Sequence, residues 1–197
     1  MSRVLLAVAA LALAGCTTAI TGDAQPAAES ALAEFVFRPV LGEPLPAAAG
    51  SEANVSRQSR DPDQQKQAAE ALDCAKPDPL TGLDDHELPL VTCDAKGDYK
   101  YVLGSVIFDG DAISKAEAAQ NNDSNGWVLR LTFTAEGTST WGEYTSTHVQ
   151  EQVAIVLRTK VLSAPTIQAP ILNGVTEISG DFSREDAERL ADQLSGR

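Results

Sequence analysis

Val153–Ala164, VAIVLRTKVLSA, constrains the fold more than any other stretch of the chain. Two apolar runs rich in β-branched residues flank the polar pair Arg158-Thr159, which is the pattern of a β-hairpin. The first run, Val153–Leu157, is continuously apolar and suits a central strand. The second, Lys160–Ala164, should end at Pro165, which has no backbone N–H to donate.

The elements around this hairpin follow from periodicity. Tyr99–Phe108, YKYVLGSVIF, reads as extended, interrupted at Gly104 by a bulge or a close backbone approach. Asp109-Gly110 turns the chain. Asp111–Ala119 has helix composition, with Ile113, Ala116 and Ala119 on one side. Trp127–Thr134 alternates apolar and polar residues, the signature of a half-buried strand. Gly137–Gln152 places Trp141, Tyr144, Thr145, His148, Val149 and Gln152 at helical spacing. Val175–Ser179 is another strand after Gly174. Ser183 caps a last helix with Asp186 three positions on, and Ala187, Leu190, Ala191 and Leu194 form its apolar stripe. The order is strand, helix, strand, helix, strand, strand, strand, helix. That implies an α+β fold: a mostly antiparallel or mixed sheet with helices packed on one face, in a single compact domain preceded by a flexible tether.

The front of the chain reads as delivery. Arg3 precedes Val4–Ala14, an apolar run of signal-peptide length that is too short to span a bilayer. It ends in Leu13-Ala14-Gly15-Cys16, which resembles the lipobox of bacterial lipoproteins. That resemblance implies diacylglycerol on the Cys16 sulfur and cleavage before Cys16. Two or more acyl chains hold a soluble body on a membrane, where a single chain binds only marginally. Cys74 and Cys93 remain, in a compartment where disulfides persist, and are expected to pair. Closing a loop of that length is worth roughly 3 kcal/mol through the unfolded chain. A metal reading of these two cysteines lacks any CxxC or Cys/His spacing.

The net charge is −13, and losing Arg3 with the signal takes it from −13 to −14. This argues against nucleic acid as a partner and against electrostatic docking on anionic lipid. The expected organisation is a signal peptide over 1–15, a tether and linker over 16–72, and the folded body over 73–197. Within the second part, Thr17–Pro26 is small and polar, and Ala27–Glu34 has helix-forming composition. Phe35–Leu41 reads as a strand that Pro39 limits to an edge or an end. Gly42–Arg60 has no apolar period and reads as a flexible linker. Asp61-Pro62 starts a short helix to about Leu72. Cys74 to Cys93 reads as a loop with an acidic tip at Asp84-Asp85-His86-Glu87, more consistent with solvation than with a metal site.

No residue set suggests catalysis. GxSxG, HExxH, P-loop and Rossmann glycine patterns are absent from the sequence. Asn121–Gly126 matches early positions of a calcium loop. The twelfth position is Thr132 and strand follows, so it is read as a turn. His148 reads as a packed or edge histidine. No catalytic residue, metal ligand or cofactor is assigned.

Ala154–Pro165, Ile167-Gln168, Ile178-Ser179-Gly180 and the Phe182–Leu194 helix together resemble the head subdomain of the first extracytoplasmic domain of SecD, a protein-export subunit. Asp73-Cys74, Pro77–Leu80, Pro89–Val91, Cys93-Asp94, Lys100–Gly104, Trp141-Gly142, Tyr144-Thr145 and His148 resemble its actinobacterial form. Phe37–Val40 is similar to a strand of that domain's base. Three departures matter. The family turns the hairpin with Asp-Gly; Arg158-Thr159 stands here, and Thr adopts positive φ poorly, so a different turn or a longer loop is expected. Most of the base before Phe35 is missing, and the chain stops at Arg197. Membrane helices carrying ionisable residues, which proton-coupled transport needs, are also missing. The resemblance implies a lipid-anchored, non-enzymatic module that binds exported polypeptide, with Phe35–Leu41 or the hairpin as the edge to which a peptide strand adds. The alternative is an interaction subunit of an envelope protein complex.

Overall fold

The computed structural model describes residue 32 and residues 34–50, 55–121 and 126–195. The expected signal segment 1–15, Cys16, Thr17–Pro26, most of Ala27–Glu34 and residues 122–125 of the expected turn Asn121–Gly126 lie outside the described residues. Among the described residues, ten strands form three antiparallel sheets, accompanied by three α-helices.

The first sheet is built on the hairpin. β1 (Phe35–Pro39) pairs along its length with β8 (Val153–Leu157), and β9 (Lys160–Ser163) folds back on β8. The two-residue β5 (Phe108–Asp109) closes the other side, giving the order β5-β1-β8-β9. Side chains alternate across it. Phe35, Phe37, Val153 and Ile155 enter the main core, and Val36, Ala154 and Val156 enter a second cluster with Leu103 and Val161. Burial on both faces is why β8 carries an unbroken apolar run.

The second sheet has the order β10-β7-β6, from β6 (Ile113–Gln120), β7 (Trp127–Phe133) and β10 (Val175–Phe182). Leu129, Leu131, Phe133 and Ile178 face the main core. The third is small, β2-β4-β3, from β2 (Leu45–Pro46), β3 (Leu90–Cys93) and β4 (Tyr99–Leu103). Helix α1 (Pro62–Ala71) packs on β3 and β4 through Ala68 and Ala69; its cap Asp61 accepts from Asp63 N–H at 2.9 Å. Helix α2 (Ala135–Thr147), capped by Thr134, brings Trp141 into the main core. Helix α3 (Arg184–Leu194) lies on β6 and β7, and its Ser183–Asp186 capping box is complete. None of these helices is long and apolar enough to cross a membrane.

Several sequence expectations are corrected. Residues 111–119 are a 3-10 turn (Gly110–Ala112) followed by β6, not a helix. Helix propensity yields there to cross-strand pairing with β7, whose apolar face needs a neighbour. The small Ala116 also leaves room for α3 above it. Gly42–Arg60 is not a free linker where it is described. Ala47 N–H donates to Asp98 O and Val91 N–H to Arg57 O, each at 2.8 Å. The Cys74–Cys93 loop ends in strand β3. Within Phe35–Leu41 the strand is Phe35–Pro39; it is interior rather than an edge, and Pro39 stands at its end, one of the two expected placements, where the missing N–H does no harm.

The hairpin turn is also not what its residues suggest. Arg158 and Thr159 have φ of 50° and 64°, the left-handed conformation of a tight two-residue turn. Left-handed backbone costs about 1–2 kcal/mol per non-glycine residue, so neighbours must hold it. Thr159 Oγ1 donates to Asp78 Oδ2 at 2.7 Å, Thr92 Oγ1 donates to Thr159 O, and Arg158 N–H donates to Glu34 O at 3.0 Å. Gly104 is the expected close approach: a Cβ there would lie 2.7 Å from Pro39 Cγ.

Candidate functional site: a groove between two strand edges

β9 is the outermost strand of the first sheet and β10 of the second. The two strands lie against each other, and Ser163 Oγ donates to Ser179 O at 2.7 Å. Beside this contact opens a groove of about 650 Å³. Val161 and Leu162 form one wall, Gly180 and Phe182 the other, and Tyr99 and Tyr101 of β4 extend the surface.

The edge of β9 is already used as a strand edge. The turn between β3 and β4 lays Asp94 beside Val161 as a parallel bridge, and Ala95 N–H donates to Val161 O at 2.9 Å. Gly97 makes this turn possible at φ 80°. The Cys74–Cys93 disulfide, Cα atoms 5.8 Å apart, ends β3 just before it. The turn carries Lys96, which reaches across the groove to Asp181. Asp181 sits where β10 shifts register between Ser179 and Phe182, a β-bulge that re-aims its side chain. The hydrogen bond and charge of Asp181 raise the Lys96 pKa, and Lys96 lowers that of Asp181. Burial, then the charge of Asp94, raises the Tyr101 phenol.

Of the acidic loop tip, Asp85 and Glu87 are exposed as expected, while Asp84 turns inward. Arg38 of β1 is fully buried; its Nη2 donates to Asp84 Oδ2 at 2.8 Å and its Nη1 to Leu88 O and Gly104 O at 2.8 and 2.9 Å. Burial lowers the Arg38 pKa, opposed by the Asp84 charge. Asp78, from the same loop, receives both Nη groups of Arg57 at 2.6 and 2.9 Å as well as the Thr159 hydroxyl. Burial alone would raise its carboxyl, but the bonds from Arg57, Thr159 and Leu80 N–H hold it below the usual carboxylate range. His148 stacks on Tyr144 at 4.0 Å, its Nδ1 2.9 Å from Tyr144 O. Among the described residues no three His, Cys, Asp or Glu side chains converge as a metal site.

Of the residues singled out in the sequence, the structure joins Cys74 to Cys93, while Cys16 lies outside the described residues. Of the two candidate edges only the hairpin strand β9 is an edge; β1 is bonded on both sides. Sequence reasoning missed Lys96, Asp181 and the Arg38 and Asp78 pairs. Arg38 carried a signal, since a lone cation inside FVFRPV must find a buried partner.

Residues 88–196 match the family described as SecDF, P1 head subdomain. The chain is 38% identical over 128 residues to the protein translocase subunit SecD of Mycobacterium tuberculosis (strain H37Rv), covering 64% of this chain and 22% of that protein. Against SecD of Streptomyces coelicolor it is 35% identical over 136 residues, with the same 64% and 22% coverage. The crystal structure of SecDF in its super-membrane-facing form superposes with a TM-score of 0.49 at 23% identity, over 82% of this chain and 18% of that one. The chain thus spans about a fifth of the length of the curated relatives it matches.

Proposed function

The chain belongs to the SecDF P1 head subdomain family, and on that premise we propose that it is a non-enzymatic, extracytoplasmic lipoprotein of the actinobacterial SecD type, accessory to protein export. Its task is to hold extended polypeptide in the groove between β9 and β10. Exported chains leave the membrane unfolded, with unpaired backbone groups, and an open strand edge offers them partners without reading sequence. The observation that carries this reading is that β9 and β10, each the outermost strand of its sheet, line one groove of about 650 Å³; the turn at Ala95 takes up the β9 edge at Val161 O, and the polypeptide lies along the rest of the groove. The groove mixes apolar residues, Val161, Leu162 and Phe182, with charged ones such as Lys96, Asp181 and Arg189, which suits passing segments of varied composition.

The anchor is the acylated Cys16, and the body lies over 73–197 together with the strands and helix contributed by residues 35–72. Cys16→Ser abolishes acyl labelling and releases the protein from membranes; retained labelling removes the anchor. A photocrosslinking residue at Leu162, in living cells, captures nascent exported chains, whereas one at Glu136 of α2 does not. Equal capture from both positions refutes the groove. Stable adducts to membrane proteins from Leu162, with no nascent chains, favour an interaction subunit of an envelope complex instead.

A further inference from the structure

Part of the groove offers a passing chain aromatic surface in place of a strand edge. Val161 O already accepts from Ala95 N–H at 2.9 Å, Ser179 O from Ser163 Oγ at 2.7 Å, and Thr159 O from Thr92 Oγ1. A strand added there finds few free carbonyls, and each N–H that it leaves unpaired away from water costs free energy. Tyr99 and Tyr101 stand two positions apart on β4 and share one face of that strand. Tyr99 is 48% exposed and Tyr101 is half-buried. Across the groove Phe182, also half-buried, packs against the backbone of Gly180, where a Cβ would come within 2.9 Å of its ring.

The polar groups beside these rings suit carbonyls better than charges. Among the described residues neither tyrosine hydroxyl is hydrogen-bonded, so each has a proton to donate. The cations that line the groove are engaged with carboxylates: Lys96 with Asp181, Arg189 with Asp186, and Arg158 with Glu34. A neutral segment is therefore favoured over an acidic one.

One backbone conformation meets these conditions. Polyproline II makes no internal hydrogen bonds, leaves its carbonyls free to accept, and is a major conformer of unfolded chains. Proline-rich segments in this conformation dock on aromatic-lined grooves, where their preformed shape lowers the entropy lost. Proline also has no N–H to leave unpaired.

We propose that the surface formed by Tyr99, Tyr101 and Phe182 selects proline-containing stretches of the passing polypeptide. They are held as polyproline II, with proline rings on the aromatic faces and carbonyls accepting from the two tyrosine hydroxyls. The assignment rests on the groove holding polypeptide, and names the segments held most tightly.

The test titrates the full chain by calorimetry with two uncharged peptides of about nine residues, long enough for three turns of polyproline II. One is a Pro-Ala repeat and the other a Thr-Gln-Val repeat, the latter also prepared with N-methylated backbone. The Pro-Ala peptide binds saturably and about fivefold more tightly than the Thr-Gln-Val peptide. Tyr99→Ala and Phe182→Ala each weaken it about fivefold, Tyr99→Phe weakens it less, and Glu136→Ala on α2 leaves it unchanged. Tyr99 is exposed, so Tyr99→Ala keeps its melting temperature and decides the matter even where Phe182→Ala does not fold. The proposal is overturned by a Pro-Ala peptide that binds no more tightly than the other, or by undiminished binding in Tyr99→Ala. A Thr-Gln-Val peptide that binds more tightly, and is lost on N-methylation, also overturns it and assigns the whole groove to strand addition, with the polypeptide reading intact. Binding of neither peptide overturns both.

Discussion

The Thr159 hydroxyl donates to the Asp78 carboxylate at 2.7 Å, tying the hairpin turn to the disulfide-closed loop. This charge-assisted bond, worth about 1.5–3 kcal/mol, is of the size needed to hold Thr159 at φ 64°. Thr159→Ser keeps the hydroxyl and sheds the branched methyl, so it should equal or exceed wild type in urea midpoint. Thr159→Val keeps the branch and loses the donor, and should cost about 1.5–3 kcal/mol. A valine variant as stable as the serine one would mean that the bond does not hold the turn.

Asp78 should make stability acid-sensitive. Its folded pKa lies below the ordinary value. The stabilisation is therefore complete above the unfolded pKa, near 3.9, and disappears as pH falls through the lower folded value. The gap in unfolding free energy between wild type and Asp78→Asn should be constant above about pH 5 and shrink towards about pH 2. A gap unchanged over that range would assign the acid sensitivity elsewhere.

Arg38 and Asp84 form a buried pair, with side chains 0% and 11% exposed. Removing one partner of such a pair costs about 3–5 kcal/mol, while replacing both with apolar groups of similar volume is often neutral. Arg38→Met alone should therefore lower the denaturant midpoint sharply, and Arg38→Met with Asp84→Leu should recover much of the loss. A double variant less stable than the single one would show that the pair contributes more than mutual neutralisation.

Lys96 and Asp181 span the groove mouth in solvent. Breaking the bridge with Lys96→Gln or Asp181→Asn should speed association of an unfolded test polypeptide and flatten its salt dependence, with little change in melting temperature. Exchanging the residues, Lys96→Asp with Asp181→Lys, should restore both. Stopped-flow association rates across ionic strength decide it; an exchange variant behaving like the single ones would exclude a role for the bridge.

Much of the fold was legible because the signals were local. The hairpin, the Trp127 strand, the Trp141 helix and the Ser183 cap each carry periodicity or capping within one segment. What failed depended on distant partners. Residues 111–119 look helical until β7 is beside them. Arg158-Thr159 looks unfit for a tight turn until Asp78, 81 positions away, is in contact. Residues 55–60 look unstructured because Arg57 finds its partners in Asp78 and Val91 rather than in neighbouring residues. The candidate groove was half legible: the hairpin edge could be named, but Lys96 and Asp181 meet only because a turn and a bulge aim them at one another.

The position of β1 has a mechanical consequence. Glu34, which precedes it, is held by Arg158 of the hairpin turn at 2.7 Å, and β1 then runs between β5 and β8 with side chains in both core clusters. Tension applied to the residues ahead of it would load this interior strand first. The body can then be tugged from its front end without a peripheral strand peeling away, and the groove would keep its shape while under load.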